Sequence, residues 1–125
     1  KTKTMDSDVL AEVRAAVAAM ETKKAYQLIA LDVSARTSIT DLFVICSAGS
    51  QRQAQAVVDE VDRVLMARGV RALSVEGYAQ GGWILMDYGD FVVHVFLEER
   101  REYFALERLW GDAPEVTARL RTSPS

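Results

Sequence analysis

The stretch "GGWILMDYGDFVVHVF" (residues 81–96) carries the side chains of this chain that are best suited to acid–base chemistry. It contains the single histidine, His94, and two aspartates, Asp87 and Asp90. A carboxylate beside an imidazole can form a general base pair. No nucleophile accompanies them by motif, and a lone histidine in an apolar strand is more often a packed or interface side chain. The pattern therefore favours a binding role for this stretch and predicts no catalytic residue.

A second candidate for chemistry is "CSAGS", a strand end followed by Gly49-Ser50 and a predicted helix. Nucleotidyltransferases hold a nucleotide phosphate at such a helix N-terminus. They also need an Asp-x-Asp pair on the neighbouring strand to hold magnesium. The strand candidates "ALSVEG" and "GGWILMD" lack that pair. A nucleotidyltransferase-like nucleotide-binding protein or enzyme is therefore the alternative hypothesis.

The remaining residue types predict neither a metal nor a cofactor. One histidine, one cysteine and no tight carboxylate cluster make a poor ligand set. Cys46 lies within "LFVICSA" and is expected in the core, and a single cysteine fits a reducing compartment. No apolar run approaches the ~20 residues of a membrane span, and "KTKTMDSD" lacks the apolar core of a signal peptide. These features predict a cytoplasmic protein with no membrane partner.

Length and charge predict one acidic domain. The 125 residues are 50% hydrophobic and 26% charged, which predicts a single domain over residues 1–125 with its core at about 6–114. Residues 115–125 are polar and are expected to form a flexible tail. The net charge is −3 and no Lys/Arg block is present, which argues against free nucleic acid as a partner. A basic protein suits an acidic chain better.

Periodicity and breakers predict the element order α-β-β-α-β-β-β-α. The fold class is α/β (α+β), a mixed five-stranded sheet with helices. Ser50 is expected to cap the second helix and Gly69 to end it. The predicted elements are a helix from Asp6 or Ser7 to about 22–24, strands at 26–33 and 41–48, a helix at 51–68, a strand at 71–77, the two strands of residues 81–96, and a helix at 98–110.

The two strands of residues 81–96 form a predicted hairpin with two unlike faces, because strand side chains alternate. The loop is either Tyr88-Gly89 or Gly89-Asp90, and both registers give the same division. One face is apolar and is expected in the core: Ile84, Met86, Tyr88, Phe91, Val93, Val95 and Leu97. The other is mixed: Trp83, Leu85, Asp87, Asp90, Val92, His94 and Phe96.

The mixed face has the composition of a protein interface, where aromatic side chains are enriched. A solvated face would seldom carry Trp83, Leu85 and Phe96 together, and a buried face would seldom carry Asp87. Two alternatives remain open. The N-terminal or third helix covers this face, or the face joins two copies of a homodimeric scaffold.

Three blocks of the sequence resemble the ribosomal silencing factor family, also called the Iojap family. They are "DVSARTSITDLFVICSAGSQRQAQAVVDEV", "VEGYAQGGWILMDYGDFVVHVF" and "REYFALERLWGDAP", in that order. The similarity covers about residues 30–114.

The resemblance implies a nucleotidyltransferase-like α/β fold without known catalysis or cofactor, often found as a homodimer. It implies a translational repressor that binds the large ribosomal subunit through large-subunit ribosomal protein fourteen and blocks joining with the small subunit. It also places contact or contact-supporting residues on the matching blocks. These candidates are Trp83, Asp87, Tyr88, Gly89, Asp90 and His94, with Glu76, Tyr78 and Tyr103 as weaker ones. Leu85 of the mixed face is a further predicted contact residue.

Overall fold

A computed structural model describes residues 7–100 and 113–121 of the chain. Residues 98–100 are helical, and most of the helix predicted at 98–110 lies outside the described residues, as does Tyr103. The elements are helices α1 (Ser7–Thr22), α2 (Gln51–Ala67) and α3 (Thr117–Leu120), and strands β1 (Tyr26–Asp32), β2 (Leu42–Ala48), β3 (Ser74–Glu76), β4 (Trp83–Asp87) and β5 (Phe91–Leu97).

The five strands form one mixed sheet in the order β1-β2-β5-β4-β3. β2 and β5 are parallel, whereas the other three neighbouring pairs are antiparallel. The predicted fold class is confirmed, and β2 lies inside the sheet between β1 and β5. β3 is shorter than the predicted strand at 71–77, because only three of its residues pair in register with β4.

Local sequence signals explain where helix α2 begins and ends. Ser50 is in an extended conformation and its hydroxyl accepts the Gln53 N–H at 3.0 Å, which satisfies a donor in the first turn. Gly69, just past the C-cap, has φ +79°, a conformation in which glycine pays no Cβ penalty. The residues buried between these ends recur at three- and four-residue spacing: Ala54, Val57, Val58, Val61 and Leu65. The predicted cap at Ser50 and the predicted end at Gly69 are both confirmed.

Both long helices pack on one side of the sheet, which we call the helix-covered face. Their buried residues join one core with Ile84, Met86, Phe91, Val93 and Val95 of the hairpin. Burying each such side chain contributes roughly 1.5–3 kcal/mol. The prediction that these residues and Tyr88 face the core is confirmed, whereas Leu97, the last residue of the predicted set, is only half-buried. Cys46 is also fully buried, as expected.

Residues 113–121, here the C-terminal segment, lie along the outer edge of β1. The Asp32 N–H donates to the Pro114 carbonyl at 2.8 Å, and the Val116 N–H donates to the Ala30 carbonyl at 2.8 Å. The Leu120 side chain is fully buried in the core. The prediction of a flexible tail is therefore wrong for residues 115–121. An edge strand presents unpaired backbone groups, and this segment satisfies some of them.

In the described parts of the chain, no helix is long and apolar enough to cross a membrane.

Candidate functional site: the Trp83 face of the sheet

The sheet side opposite α1 and α2 carries the mixed set of hairpin residues, and we call it the Trp83 face. The register pairs Trp83 with Phe96, Leu85 with His94 and Asp87 with Val92. This is the register with Gly89-Asp90 as the loop. Gly89 has φ +89°, as the first position of such a Gly-x turn requires.

Exposure divides the Trp83 face into a closed half and an open half. On β5 every residue from Phe91 to Phe96 is buried, so its side chains are covered on both faces. On β4 burial alternates, and Trp83, Leu85 and Asp87 are each half-buried. Glu76 of β3 lies directly across from Leu85 and is exposed. We call Glu76, Trp83, Leu85 and Asp87 the open strip.

Part of the Trp83 face is thus covered, although not by the N-terminal helix. α1 packs on the opposite side of the sheet. A second apolar cluster closes the β2 and β5 half, with Leu31, Val33, Ile45, Phe96 and Ala113 as its buried members and Trp83 packed at its margin. The helix predicted at 98–110, the other proposed cover, lies mostly outside the described residues.

An aromatic group joins the closed half to the open strip. The Trp83 and Phe96 rings stack with centroids 5.1 Å apart, and the His94 and Phe43 rings meet edge-on at 4.8 Å. The Trp83 indole Nε1–H donates to His94 Nδ1 at 3.1 Å. Since Nδ1 accepts this bond, the neutral imidazole carries its proton on Nε2. The indole is therefore fixed at its polar end by His94 and on its ring face by Phe96.

The geometry around His94 favours the packed role over the catalytic one. The side chain is only 3% exposed, and burial lowers its pKa from 6.5 to about 4. Its Nδ1 is occupied by an indole rather than by a carboxylate, whereas catalytic histidines are commonly oriented by a carboxylate. His94 thus holds the Trp83 indole by accepting its hydrogen bond, and its own buried side chain is not exposed to a partner.

The two hairpin aspartates have separate roles in the turn. Asp87 Oδ1 accepts the Gly89 N–H at 2.8 Å, an Asx-type bond that fixes the turn. The Asp90 carbonyl accepts the Asp41 N–H at 3.1 Å, which joins the turn to the loop before β2. Gly89 and Asp90 form one wall of a polar cavity of about 620 Å³ whose other wall is residues 34–41. Asp87 therefore belongs to the open strip, and Asp90 lies at its end.

Two other predicted contact residues lie away from the Trp83 face. Tyr88 faces the helix-covered side, where it stacks on Phe91 at 5.0 Å, and burial raises its pKa. Tyr78 lies in the loop between β3 and β4 and is 38% exposed. Its hydroxyl donates to the carboxylate of Asp59 on α2, and this bond raises the pKa of Tyr78. The structure therefore brings Glu76, Trp83, Leu85 and Asp87 together and separates Tyr88 and Tyr78 from them.

Sequence reasoning missed residues that complete the site. Phe43 and Ile45 of β2 extend the cross-strand rows of Val92 and His94. The alternation of "LFVICSA" held this signal, but the strand is so apolar that its faces look alike. Three polar residues of α2, Gln51, Gln55 and Asp59, bond the loop before Trp83, and their residue types are ordinary for an exposed helix surface.

The N-terminus of α2 does not resemble a free phosphate site. The Gly49 N–H already donates to Gln53 Oε1 at 2.7 Å, and the Gln53 N–H donates to the Ser50 hydroxyl. The adjoining groove of about 480 Å³ is also lined by Glu98 and Glu99. Two carboxylates beside the helix end oppose the binding of a phosphate, which favours neither the nucleotide-binding nor the enzyme alternative.

Fold and site together define a single α/β domain with a mixed five-stranded sheet, one helix-covered face and one partly open aromatic face. A family model described as ribosomal silencing factor during starvation matches residues 6–125. The ribosomal silencing factor of Halalkalibacterium halodurans is 46% identical over 101 residues, 81% of this chain and 86% of that protein. This chain belongs to the ribosomal silencing factor family.

Two further comparisons extend this result. A crystal structure of a protein from Chromobacterium violaceum superposes with a TM-score of 0.79 at 33% identity, covering 97% of this chain and 92% of that one. A mouse protein named mitochondrial assembly of ribosomal large subunit protein 1 is 31% identical over 97 residues, 75% of this chain and 42% of that protein. The suggested family and fold are confirmed.

Proposed function

We propose that this protein is a translational repressor that binds the large ribosomal subunit and sterically blocks its joining with the small subunit. Membership of the ribosomal silencing factor family carries the proposal. The mouse relative, whose name refers to the large ribosomal subunit, supports that subunit as the partner. The docking protein would be large-subunit ribosomal protein fourteen, and the site of action the cytoplasm. No bond is made or broken in this mechanism.

The open strip is the surface that we propose for the contact. It combines a half-buried indole and leucine with two carboxylates, Asp87 and Glu76, on adjacent strands. Aromatic anchors of this kind dominate the affinity of many interfaces. Carboxylates at the margin attract basic side chains and orient the partner. The strip therefore suits a basic protein surface with an apolar pocket.

The fixed orientation of Trp83 adds to this support. An interface residue that is already held in one rotamer loses little conformational entropy on binding. Its contacts with His94 and Phe96 provide that restraint. His94 and Phe96 thus contribute to the contact through Trp83 and not by touching the partner.

Co-sedimentation with isolated large subunits, isolated small subunits and joined ribosomes tests the function. We expect the protein with large subunits and its depletion from joined ribosomes, and we expect added protein to slow subunit joining. Equal binding to both subunits would contradict the proposal. Saturable micromolar binding of a nucleoside triphosphate, measured in the same preparation, would favour the nucleotidyltransferase-like alternative.

The same binding measurement maps the surface with two variants. Trp83→Ala should weaken large-subunit binding by about 30- to 1000-fold, corresponding to ~2–4 kcal/mol for an interface anchor. It should also lower the melting temperature, because Trp83 packs on Phe96. The control is Val93→Ala, fully buried on the helix-covered face, which should destabilise the fold but leave the affinity of the folded fraction unchanged.

Melting curves and binding are measured side by side at a temperature where both variants are folded. Normal binding by folded Trp83→Ala would exclude the open strip as the contact. Sedimentation equilibrium of the same variant addresses the remaining alternative. If the wild type is a dimer and Trp83→Ala is a monomer that still binds large subunits, the strip joins two copies of the chain instead.

A further inference from the structure

The loop that precedes Trp83 is attached to α2 along one line of side chains. Gln51, Gln55 and Asp59 are spaced by four residues and therefore lie one above the other on the helix. We call them the loop-binding face of α2. Gln51 Nε2 donates to the Ala79 carbonyl at 2.5 Å, and Gln55 Nε2 donates to the Tyr78 carbonyl at 2.8 Å.

The third contact comes from the loop side. The Tyr78 hydroxyl donates to both carboxylate oxygens of Asp59, at 2.9 and 3.0 Å. Three side chains of α2, each about one helical turn from the next, therefore bind two consecutive loop residues. A polar side chain on an exposed helix surface usually contacts only water, so three in a row that bind the same loop distinguish this face from the rest of α2.

The backbone of the loop requires this close approach. Gly77 and Gly81 have φ +82° and +72°, and the Gly81 N–H donates to the Gly77 carbonyl at 3.0 Å. A Cβ on Gly81 would lie 2.3 Å from Gln51 Cγ, and one on Gly77 would lie 2.2 Å from the Trp83 carbonyl oxygen. One glycine thus packs against the loop-binding face and the other against the residue that begins β4.

We propose that Gln51, Gln55 and Asp59 are positioning residues for partner binding: by holding the loop before β4, they hold Trp83 in the orientation that engages the large ribosomal subunit. This inference rests on the proposed function. It also assigns Tyr78 a role through Asp59 rather than a direct contact with the partner. The plainer interpretation is that these bonds only tie down a surface loop.

The mechanical connection runs through both ends of the loop. Gly77 touches the Trp83 backbone, and the Gly82 carbonyl accepts the Leu97 N–H at 3.0 Å. The loop therefore determines where the backbone of Trp83 enters the sheet beside β5. A loop released from α2 would let the first residue of β4 move away from its neighbours. The indole bond to His94 and the stacking on Phe96 both depend on that position.

The test compares Gln51→Ala/Gln55→Ala with Met66→Ala, an exposed neutral residue near the end of the same helix. Each variant is measured as the full chain for large-subunit affinity, melting temperature and hydrogen exchange of the Trp83 indole N–H by NMR. Trp83→Phe assigns the indole resonance. We expect the double variant to lose about three- to tenfold in affinity, the effect of one to two ordinary hydrogen bonds, and to show faster indole exchange. Met66→Ala should match the wild type in both.

A second pair keeps the test independent of fold stability. Asp59→Ala removes the acceptor for Tyr78, whereas Asp59→Asn retains an amide oxygen that can accept the same bond. Asp59→Asn should retain the wild-type affinity and indole exchange, and Asp59→Ala should reproduce the double variant. Unchanged indole exchange or unchanged affinity in both Ala variants overturns the proposal. If the wild type itself does not bind large subunits, the proposed function fails, while indole exchange still decides whether α2 positions Trp83.

Discussion

At the scale of single residues, His94 and Trp83 act as one unit. The indole N–H needs an acceptor at the polar end of a half-buried ring, and the neutral imidazole supplies it at 3.1 Å. A protonated imidazole could not, because both of its nitrogens would then be donors. The neutral form of His94 is therefore the form that supports Trp83, and burial favours the same form by lowering its pKa.

This coupling predicts that the free energy of unfolding decreases as the pH falls through a defined range. The pKa of His94 is lowered from 6.5 to about 4 in the folded chain. Between these values the unfolded state binds a proton that the folded state does not, so the free energy of unfolding decreases as pH falls from about 6.5 to about 4 and then levels off for this group. From pH 7.5 to pH 5.5 the loss should be about 1.4 kcal/mol.

Urea unfolding at the two pH values measures this loss, with His94→Gln as the reference. A glutamine oxygen can accept the indole N–H but does not titrate, so every other group contributes equally to both proteins. The difference between wild type and His94→Gln should shift by the predicted amount. An identical pH dependence in the two proteins would mean that the pKa of His94 is the same in the folded and unfolded states.

At the scale of elements, local sequence signals predict most of the helices and strands. Caps, breakers and apolar periodicity predicted α2 to within one residue and the hairpin with both of its faces. Contacts between residues far apart in the sequence could not be predicted from these local signals. The docking of residues 113–121 on β1 depends on Leu120 reaching a core built by residues far away in sequence. The loop-binding face of α2 likewise consists of ordinary surface residue types whose partners lie 19 to 28 positions away.

Closure of half of the Trp83 face could not be predicted for a similar reason. Alternation assigns Val92, His94 and Phe96 to the same face as Trp83, but it does not say which strand is central. β5 lies between β2 and β4, so its side chains are flanked on both sides, whereas β4 is followed only by the three-residue β3. The position of a strand in the sheet therefore decided which of the candidate contact residues remained open.

The C-terminal segment gives a prediction at this scale. Leu120→Ala should lower the free energy of unfolding by about 2–4 kcal/mol, because it deletes a fully buried side chain that packs in the core. Chemical denaturation measures the loss. Arg119→Ala, an exposed neighbour whose carbonyl rather than side chain is bonded to Arg14, should change it by less than about 0.5 kcal/mol. Equal midpoints for Leu120→Ala and the wild type would mean that this segment is not docked.

At the scale of the whole molecule, the sheet separates stability from recognition. α1 and α2 bury one face, where their apolar side chains share one core with those of the strands. The other face keeps an open strip whose two carboxylates lie on adjacent strands, within a chain of net charge −3. Negative charge around an aromatic anchor attracts a basic partner over a distance and orients it before contact. These features of the whole molecule support the proposed contact with a basic protein surface.

This electrostatic role can be tested with two substitutions that remove the same charge on opposite sides of the sheet. Asp87→Asn removes a carboxylate from the open strip, and Asp62→Asn removes an exposed one from α2 on the helix-covered side. Asp87→Asn should weaken large-subunit binding about two- to fivefold at low salt, the range of a solvent-exposed ion pair. The asparagine oxygen can still accept the Gly89 N–H, so the turn should persist.

Raising the monovalent salt from about 0.05 M to about 0.3 M shortens the screening length and should reduce the difference in affinity between Asp87→Asn and the wild type. Asp62→Asn should bind like the wild type at both salt concentrations, since the proposed contact surface lies on the other face. Equal losses for the two variants would show that only the total charge matters. An Asp87→Asn defect that persists at high salt would instead point to a buried hydrogen bond at the interface, because a desolvated contact is screened much less than an exposed pair.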